Sequence, residues 1–232
     1  MTAERWNRGN FIDGAWDTAA DRRIAVVNPS TGATIAELGL AGAETADRAV
    51  AAAVSAFESW GVRPGAERAS YLEKMAAGLL ARKEDLVALI CETNGKPAGE
   101  AAGDVTDAAA CLSYYAGMAR DLDRRQGEPV AGTASSGSST YLEPVGPVAA
   151  ILPWNFPLKI CAWKLGPALA AGCTVVVKPS PLSALAENAW GEVALEAGLP
   201  AGVLNIVHGD GEEVGPRLVA HPGVAKISFT GS

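Results

Sequence analysis

The strongest constraint on this chain is an alternation that begins at Pro147. Val148-Ala-Ala-Ile-Leu152 is a short apolar run, and a stretch with helical spacing follows from Leu158 to Ala171 and stops at Gly172. Thr174-Val-Val-Val-Lys178 is the next run. Helical spacing returns from Leu182 to Ala197, ending at Gly198. Val203-Leu-Asn-Ile-Val207, a short helix from Glu212 to Ala220, and Ala225-Lys-Ile-Ser-Phe229 complete the series. Short Val- and Ile-rich runs bounded by Gly and Pro are strands buried on both faces. Joined by helices, they require right-handed crossovers and a parallel sheet. The predicted class is therefore α/β, on a doubly wound, Rossmann-type plan. Such sheets bind ligands at the C-terminal ends of their strands.

The first half of the chain carries no such chemistry. Phe11-Ile-Asp-Gly-Ala-Trp16 predicts a hairpin turning at Asp13-Gly14. Ile24–Val27 predicts a short strand stopped by Asn28-Pro29 and Thr31-Gly32. Val50, Val54 and Phe57 follow a candidate cap at Thr45. Leu72, Met75 and Leu79, then Leu86, Leu89 and Ile90, mark a helical stretch broken near Arg82. A third runs from Ala98 to Leu122, with Leu112 and Tyr115 on its apolar side. These are faces that pack on a core. Gly132–Ser139 is rich in Ser and Gly, and composition favours a flexible linker. The rival is a polar hairpin with strands Glu128–Ala131 and Ser139–Glu143.

Composition excludes several classes. With 232 residues, 49% hydrophobic and 19% charged, the chain buries a core without staples and is not disordered. A net charge of -7 offers no phosphate-binding face, so nucleic acid is not a partner. No apolar run approaches the ~20 residues that span a bilayer, so no membrane is expected. Met1-Thr-Ala-Glu-Arg-Trp-Asn-Arg8 lacks the apolar core of a secretory signal. Cys91, Cys111, Cys161 and Cys173 form no CxxC pair, and His208 and His221 lack metal-ligand spacing. These features predict a reduced, cytoplasmic protein with no metal site.

Three strand ends hold candidate chemistry. Pro153-Trp-Asn-Phe-Pro157 is a rigid turn in which Asn155 either presents an amide donor, as an oxyanion hole needs, or caps the next helix. Lys178-Pro-Ser180 ends the second strand; Lys178 either bonds a ribose or phosphate or is solvated. His208-Gly-Asp-Gly-Glu-Glu-Val-Gly215 is a glycine-rich turn spaced G-x-G-x-x-x-G, not the dinucleotide pattern G-x-G-x-x-G. The last strand ends in Phe229-Thr-Gly-Ser232, a small-residue turn. Cys161 and Cys173 are assigned to packing.

In order along the chain, these segments resemble the NAD(P)-dependent aldehyde dehydrogenase superfamily. The resemblance starts at Phe11–Trp16 and Asn28-Pro-Ser-Thr-Gly32 and continues through Glu92-Thr-Asn-Gly-Lys-Pro97 and Tyr114-Tyr-Ala-Gly117. It is most specific in Glu143-Pro-Val-Gly-Pro-Val148, Pro153-Trp-Asn-Phe-Pro-Leu158, Ala162-Trp-Lys-Leu-Gly-Pro-Ala-Leu-Ala-Ala-Gly-Cys173 and Val175-Val-Val-Lys-Pro-Ser180. It closes with Glu196-Ala-Gly-Leu-Pro-Ala-Gly-Val-Leu-Asn205 and Ile227–Ser232.

The resemblance implies roles for single residues. Asn155 matches the oxyanion-hole asparagine, and Lys164 a lysine assigned to charge relay. Trp163 and Ile160 match the apolar wall of the aldehyde tunnel. Leu152, Pro153 and Trp154 match the strand end beside the nicotinamide ribose, and Lys178 the lysine on the adenosine ribose, with Ser180 and Pro181 beside it. Gly211 and Gly215 match glycines near the adenine and pyrophosphate. Phe229, Gly231 and Ser232 fall with them in the cofactor set. It also implies three regions: N-terminal strands and helices of the cofactor domain (1–125), a two-stranded oligomerisation arm (126–144), and an incomplete Rossmann-like core (145–232).

Two departures stand out. The family often has Glu directly after Lys-Pro-Ser, on the ribose hydroxyls; here the place holds Pro181. Losing that carboxylate removes a repulsion against a 2′-phosphate, so NADP is tolerated beside a slightly favoured NAD. The family's general-base Glu and nucleophilic Cys would follow Ser232. The expectation is thus a truncated aldehyde dehydrogenase, inactive alone, whose intact relative oxidises a small-molecule aldehyde to an acid through a cysteine thioester. As an intact relative it would be a homo-oligomer, dimer or tetramer. Its open sheet edge predicts poor solubility alone. The alternative is a non-catalytic dinucleotide-binding module or split-enzyme subunit. An unrelated Rossmann oxidoreductase is disfavoured by the missing G-x-G-x-x-G.

Overall fold

The computed structural model describes residues 2–20, 22–131 and 137–231. The chain opens with α1 (Thr2–Trp6), then β1 (Asn10–Ile12) and β2 (Ala15–Asp17), a hairpin that turns on Asp13 and Gly14. Both turn residues have positive φ, 52° and 75°, as the tight hairpin turn requires. β3 (Arg22–Val27) and β4 (Thr34–Leu40) form a separate two-stranded sheet. Four helices follow: α2 (Ala43–Trp60), α3 (Gly65–Ala81), α4 (Lys83–Asn94) and α5 (Ala98–Arg124). β5 (Glu128–Pro129) pairs antiparallel with β6 (Ser139–Thr140). The alternating part is β7 (Val148–Ile151), α6 (Pro157–Ala171), β8 (Val175–Lys178), α7 (Asn188–Ala197), β9 (Leu204–Ile206), α8 (Val214–Ala220) and β10 (Lys226–Phe229).

The main sheet has the order β10-β7-β8-β9-β1-β2. Its first four strands are parallel, with Lys226, Val148, Val175 and Leu204 in register. β1 joins β9 antiparallel, Phe11 opposite Ile206, so the sheet is mixed rather than purely parallel. Strand alternation divides its residues between two layers. Ala150, Val175, Val177, Leu204 and Ile206 face a large cluster that includes Trp6, Leu72, Met75, Leu112 and Trp190. Ala149, Val176 and Val207 face a small cluster built from Ala46, Ala49, Val50 and Ala53 of α2 and Val214 and Leu218 of α8.

Several boundaries differ from expectation. α2 starts at Ala43 behind Gly42, so Thr45 lies inside the helix rather than capping it. Residues 181–187 are turns, and α7 begins only at Asn188. Every residue from Ser183 to Asn188 is buried, so packing rather than helical periodicity decides this segment. α8 begins at Val214, two residues late. The pairing of Glu128 with Thr140 and Pro129 with Ser139 replaces the linker with a hairpin shorter than the rival reading. Its tip, 132–136, lies outside the described residues.

Candidate functional site

The C-terminal ends of β7, β8 and β10 open into a cleft of about 650 Å³. It gathers Leu152, Pro153, Trp154, Asn155 and Ile160 after β7, and Lys178, Ser180 and Pro181 after β8. Gly211 comes from the turn after β9, and Phe229 and Gly231 from the end of β10. Lys164 and Trp163 are elsewhere, in a recess of about 300 Å³ with Val145, Cys173, Lys226 and Ser228. The structure therefore separates Lys164 from Asn155, and Trp163 from Ile160. Gly215 is buried within α8. Ser232 lies outside the described residues.

Asn155 does not cap α6. The capping position is Phe156, which makes no side-chain cap bond. Asp104, from α5, takes that role from a distance: its Oδ1 accepts the backbone N–H of Lys159 at 2.7 Å. Two more contacts pin the turn. Asn94 Nδ2 donates to the Trp154 carbonyl at 2.7 Å, and Lys96 Nζ lies 3.8 Å from the centre of the Phe156 ring. Lys96 also faces Asp104 Oδ2 at 3.4 Å. Burial raises the Asp104 pKa, opposed by Lys96 and by the Lys159 N–H. Asn155 itself is exposed at the cleft. A donor on a turn braced this way needs little reorganisation to meet a developing negative charge.

Lys178 is not solvated; it is 3% exposed. Its ammonium donates to the carbonyls of Pro179 at 3.0 Å and Gly209 at 2.8 Å, tying the end of β8 to the turn after β9. Burial lowers its pKa, and Asp210 and Glu187 oppose that shift. In that turn, Gly209 is required by packing, since a Cβ there would meet Val214 Cγ2 at 2.3 Å. Gly211 is different: a Cβ there meets nothing within 4 Å. Asp210 Oδ1 accepts the N–H groups of Glu212 and Glu213, and Asp210 pairs with Arg22. In the recess, Lys164 Nζ donates to Ser228 Oγ at 3.1 Å and Thr230 Oγ1 at 2.8 Å, and burial lowers its pKa.

None of the four cysteines lines the cleft. Cys161 is fully buried, and burial pushes its thiol well above the usual range; burial also raises Cys111. A protonated, buried thiol is a packing residue, not a nucleophile. Sequence reasoning missed four groups around the cleft. Asp104 sits on an ordinary helix face and carries no sequence signal, and Asn94 lies in the Glu92–Pro97 segment, to which no role was given. Glu187 is fully buried and burial holds its carboxyl well above the carboxylate range. Its one signal is a lone acid in the run Leu182–Ala189. His208, taken for a turn residue, is buried, with Nε2 2.7 Å from Asn188 Oδ1. Burial first, then Lys178, lowers its pKa to about 4.

A family model described as the aldehyde dehydrogenase family matches residues 16–232. Betaine aldehyde dehydrogenase 1 of Oryza sativa subsp. japonica is 47% identical over 232 residues, covering 97% of this chain and 46% of its own. The solved betaine aldehyde dehydrogenase of Staphylococcus aureus in complex with NAD+ superposes with a TM-score of 0.90 at 32% identity, covering 100% of this chain and 46% of that one. An NADP-dependent enzyme of E. coli gives 0.87 at 33% identity, covering 97% and 47%. The chain spans about half the length of the curated relatives it matches. The expected cytoplasmic location does not stand. Relatives at 43% and 44% identity are chloroplastic in Beta vulgaris and peroxisomal in Pisum sativum. Unpaired cysteines name no compartment. Among the described residues, no helix is long and apolar enough to cross a membrane.

Proposed function

The chain belongs to the aldehyde dehydrogenase family, and on that premise we propose that it supplies the oxyanion donor and the cofactor floor for NAD(P)-dependent oxidation of an aldehyde to a carboxylic acid. The observation that carries this reading is the cleft, which gathers Asn155, Lys178 and Gly211 at one sheet edge. The residues present fit a dinucleotide. Gly211 leaves open space where any side chain would intrude, as a close-approaching phosphate or ribose requires. Trp154 and Phe229, 52% and 58% exposed, offer apolar faces. Lys178 holds the two backbone turns that flank the cleft and keeps one ammonium hydrogen for a hydroxyl.

When bound, NAD(P)+ supplies the hydride acceptor. The chain's own residues orient and stabilise. The Asn155 amide donates to the oxygen that gains negative charge when a nucleophile adds to the aldehyde carbon. Asp104, Lys96 and Asn94 brace the turn that carries Asn155. The nucleophilic thiolate is none of Cys91, Cys111, Cys161 or Cys173, so these residues alone turn over no aldehyde. Pro181 brings no carboxylate to the ribose, which supports acceptance of both NAD and NADP, with NAD preferred. The paired β5–β6 arm serves homo-oligomer assembly as a dimer or tetramer. The aldehyde side is apolar at Ile160, and Lys164 acts on charge from the neighbouring recess.

Isothermal titration with NAD+ and NADP+ tests the cofactor floor. Binding of both is expected, and titrations silent for both would sink it. An assay of the chain with several aldehydes should give no protein-dependent NAD(P)H; sustained production would overturn the assignment of the four cysteines to packing. A second reading, a module completed by another chain, is favoured by the open edge of β10, where Ile227 and Phe229 are 40% and 58% exposed.

A further inference from the structure

The recess beside β10 holds a buried cation without a counter-charge. Lys164, on α6, is 8% exposed. Its Nζ donates to two neutral hydroxyls, Ser228 Oγ and Thr230 Oγ1. Lys96, about as deeply buried, faces Asp104 at 3.4 Å; among the described residues no carboxylate comes that close to Lys164. Burial lowers its pKa, and only the Cys161 thiol opposes the shift. A buried ammonium left unpaired is costly, and the cost is relieved by losing a proton or by gaining an anion. A lysine ammonium has three N–H donors, so one remains for a ligand.

The recess has room for one. Its volume is about 300 Å³, at the small end of ligand cavities. Val145, Pro167 and Ala168 make apolar walls, and Trp163, 54% exposed, stands beside them. Glu143 and Lys226 also line the recess, but both are exposed, so water and salt screen their charges. Lys164 is therefore the desolvated charge in the recess. The apolar walls discriminate among anions. Phosphate or sulfate would surrender its hydration to hydrocarbon and recover a single donor. A carboxylate on a ring or a branched chain accepts that donor and lays its apolar body on the walls. A cation meets Lys164 as a like charge.

We propose that this recess is a binding site, separate from the cleft, for a small carboxylate with an apolar body, seated on Lys164. Neither cofactor nor turnover enters the binding, so the site stands apart from the dehydrogenase reading.

Isothermal titration of the chain with benzoate, benzamide and acetate tests the site. Benzoate should bind at least about tenfold more tightly than benzamide, which has nearly the same shape and no charge; that is the scale of one charge-assisted hydrogen bond. Acetate should be weaker than benzoate by about the same factor, because it lacks the apolar body. Lys164→Met should erase the advantage of benzoate over benzamide. Lys226→Met should change benzoate affinity by less than about twofold, since that charge is exposed. Labelling of the unsubstituted chain gives a second readout that needs no variant. Saturating benzoate should slow reductive methylation of Lys164 by formaldehyde and cyanoborohydride, read by peptide mass spectrometry, and benzamide should not. A silent titration with benzoate, or equal affinity for benzoate and benzamide, overturns the proposal. Benzoate binding that survives Lys164→Met unchanged, or that Lys226→Met weakens as much, also overturns it. Equal labelling of Lys164 with and without benzoate does the same, and decides the matter if the Lys164→Met variant does not fold. Acetate as tight as benzoate overturns the apolar half of the site.

Discussion

Lys178 and Lys164 are both buried lysines whose pKa burial lowers, yet the regions around them are built differently. Lys178 in the cleft bonds two backbone carbonyls, which only accept. It also has carboxyl groups within electrostatic reach, Asp210 and Glu187. Lys164 in the recess bonds two hydroxyls, which accept or donate as needed, and the one group that raises its pKa is the Cys161 thiol. Removing Lys178 strands carbonyls that nothing else reaches. Removing Lys164 leaves hydroxyls that rotate to new partners. The cleft is therefore fastened by its lysine, whereas the recess only touches its own.

The largest expected effect follows directly. Lys178→Met strands the Pro179 and Gly209 carbonyls and frees the turn after β9 from β8. Two unsatisfied buried groups cost about 4 kcal/mol together. Urea unfolding should show a clearly lower midpoint with an unchanged slope. NAD+ affinity should fall by more than tenfold, which follows if about 1.4 kcal/mol of binding is lost. An unchanged midpoint would break the contrast between the two lysines at its stronger end.

The legible parts of this contrast are the strand ends. Val-rich runs and their Gly stops place Lys178 at a sheet edge, and the two prolines around Asn155 announce a rigid turn. What surrounds those residues was not legible. Lys178 is bonded by a carbonyl thirty-one residues on, and Asn155 is braced by Asn94, Lys96 and Asp104 from other helices. Such partners are fixed by tertiary packing, which leaves no local periodicity. The segment from Leu182 to Glu187 misled for the same reason. Its composition suits a helix, but burial of every residue from Ser183 on sets its path, with Glu187 taken inside. The docking of β1 against β9 at a single pair, Phe11 opposite Ile206, is likewise a long-range event.

A smaller effect separates the regions by pH. His208 precedes Gly209, and its pKa falls from 6.5 to about 4 on folding. Its folded pKa is depressed, so between those values the unfolded chain binds the extra proton. Stability is therefore full above pH 6.5 and declines as pH falls towards 4, by about 3 kcal/mol. His208→Gln, which keeps a donor towards Asn188, should flatten this dependence. The recess has no histidine, so Lys164→Met should leave this pH dependence unchanged. A urea midpoint that is level from pH 7 to pH 4.5 would show that the cleft is no more acid-sensitive than the recess.

The smallest effect is the sharpest test of the recess. Lys164→Met removes an ammonium whose partners are Ser228 Oγ and Thr230 Oγ1. Ser228 is half-buried and Thr230 exposed, so both hydroxyls reach water or each other once the lysine is gone. The methionine keeps most of the buried stem, so packing is retained. The expected loss is about 1 kcal/mol or less, the net worth of replaceable hydrogen bonds. NAD+ affinity should be unchanged, because the cleft does not include Lys164. If the midpoint instead drops as far as in Lys178→Met, the hydroxyls are not free to re-pair. Lys164 would then fasten α6 to β10 as firmly as Lys178 fastens β8 to the turn after β9.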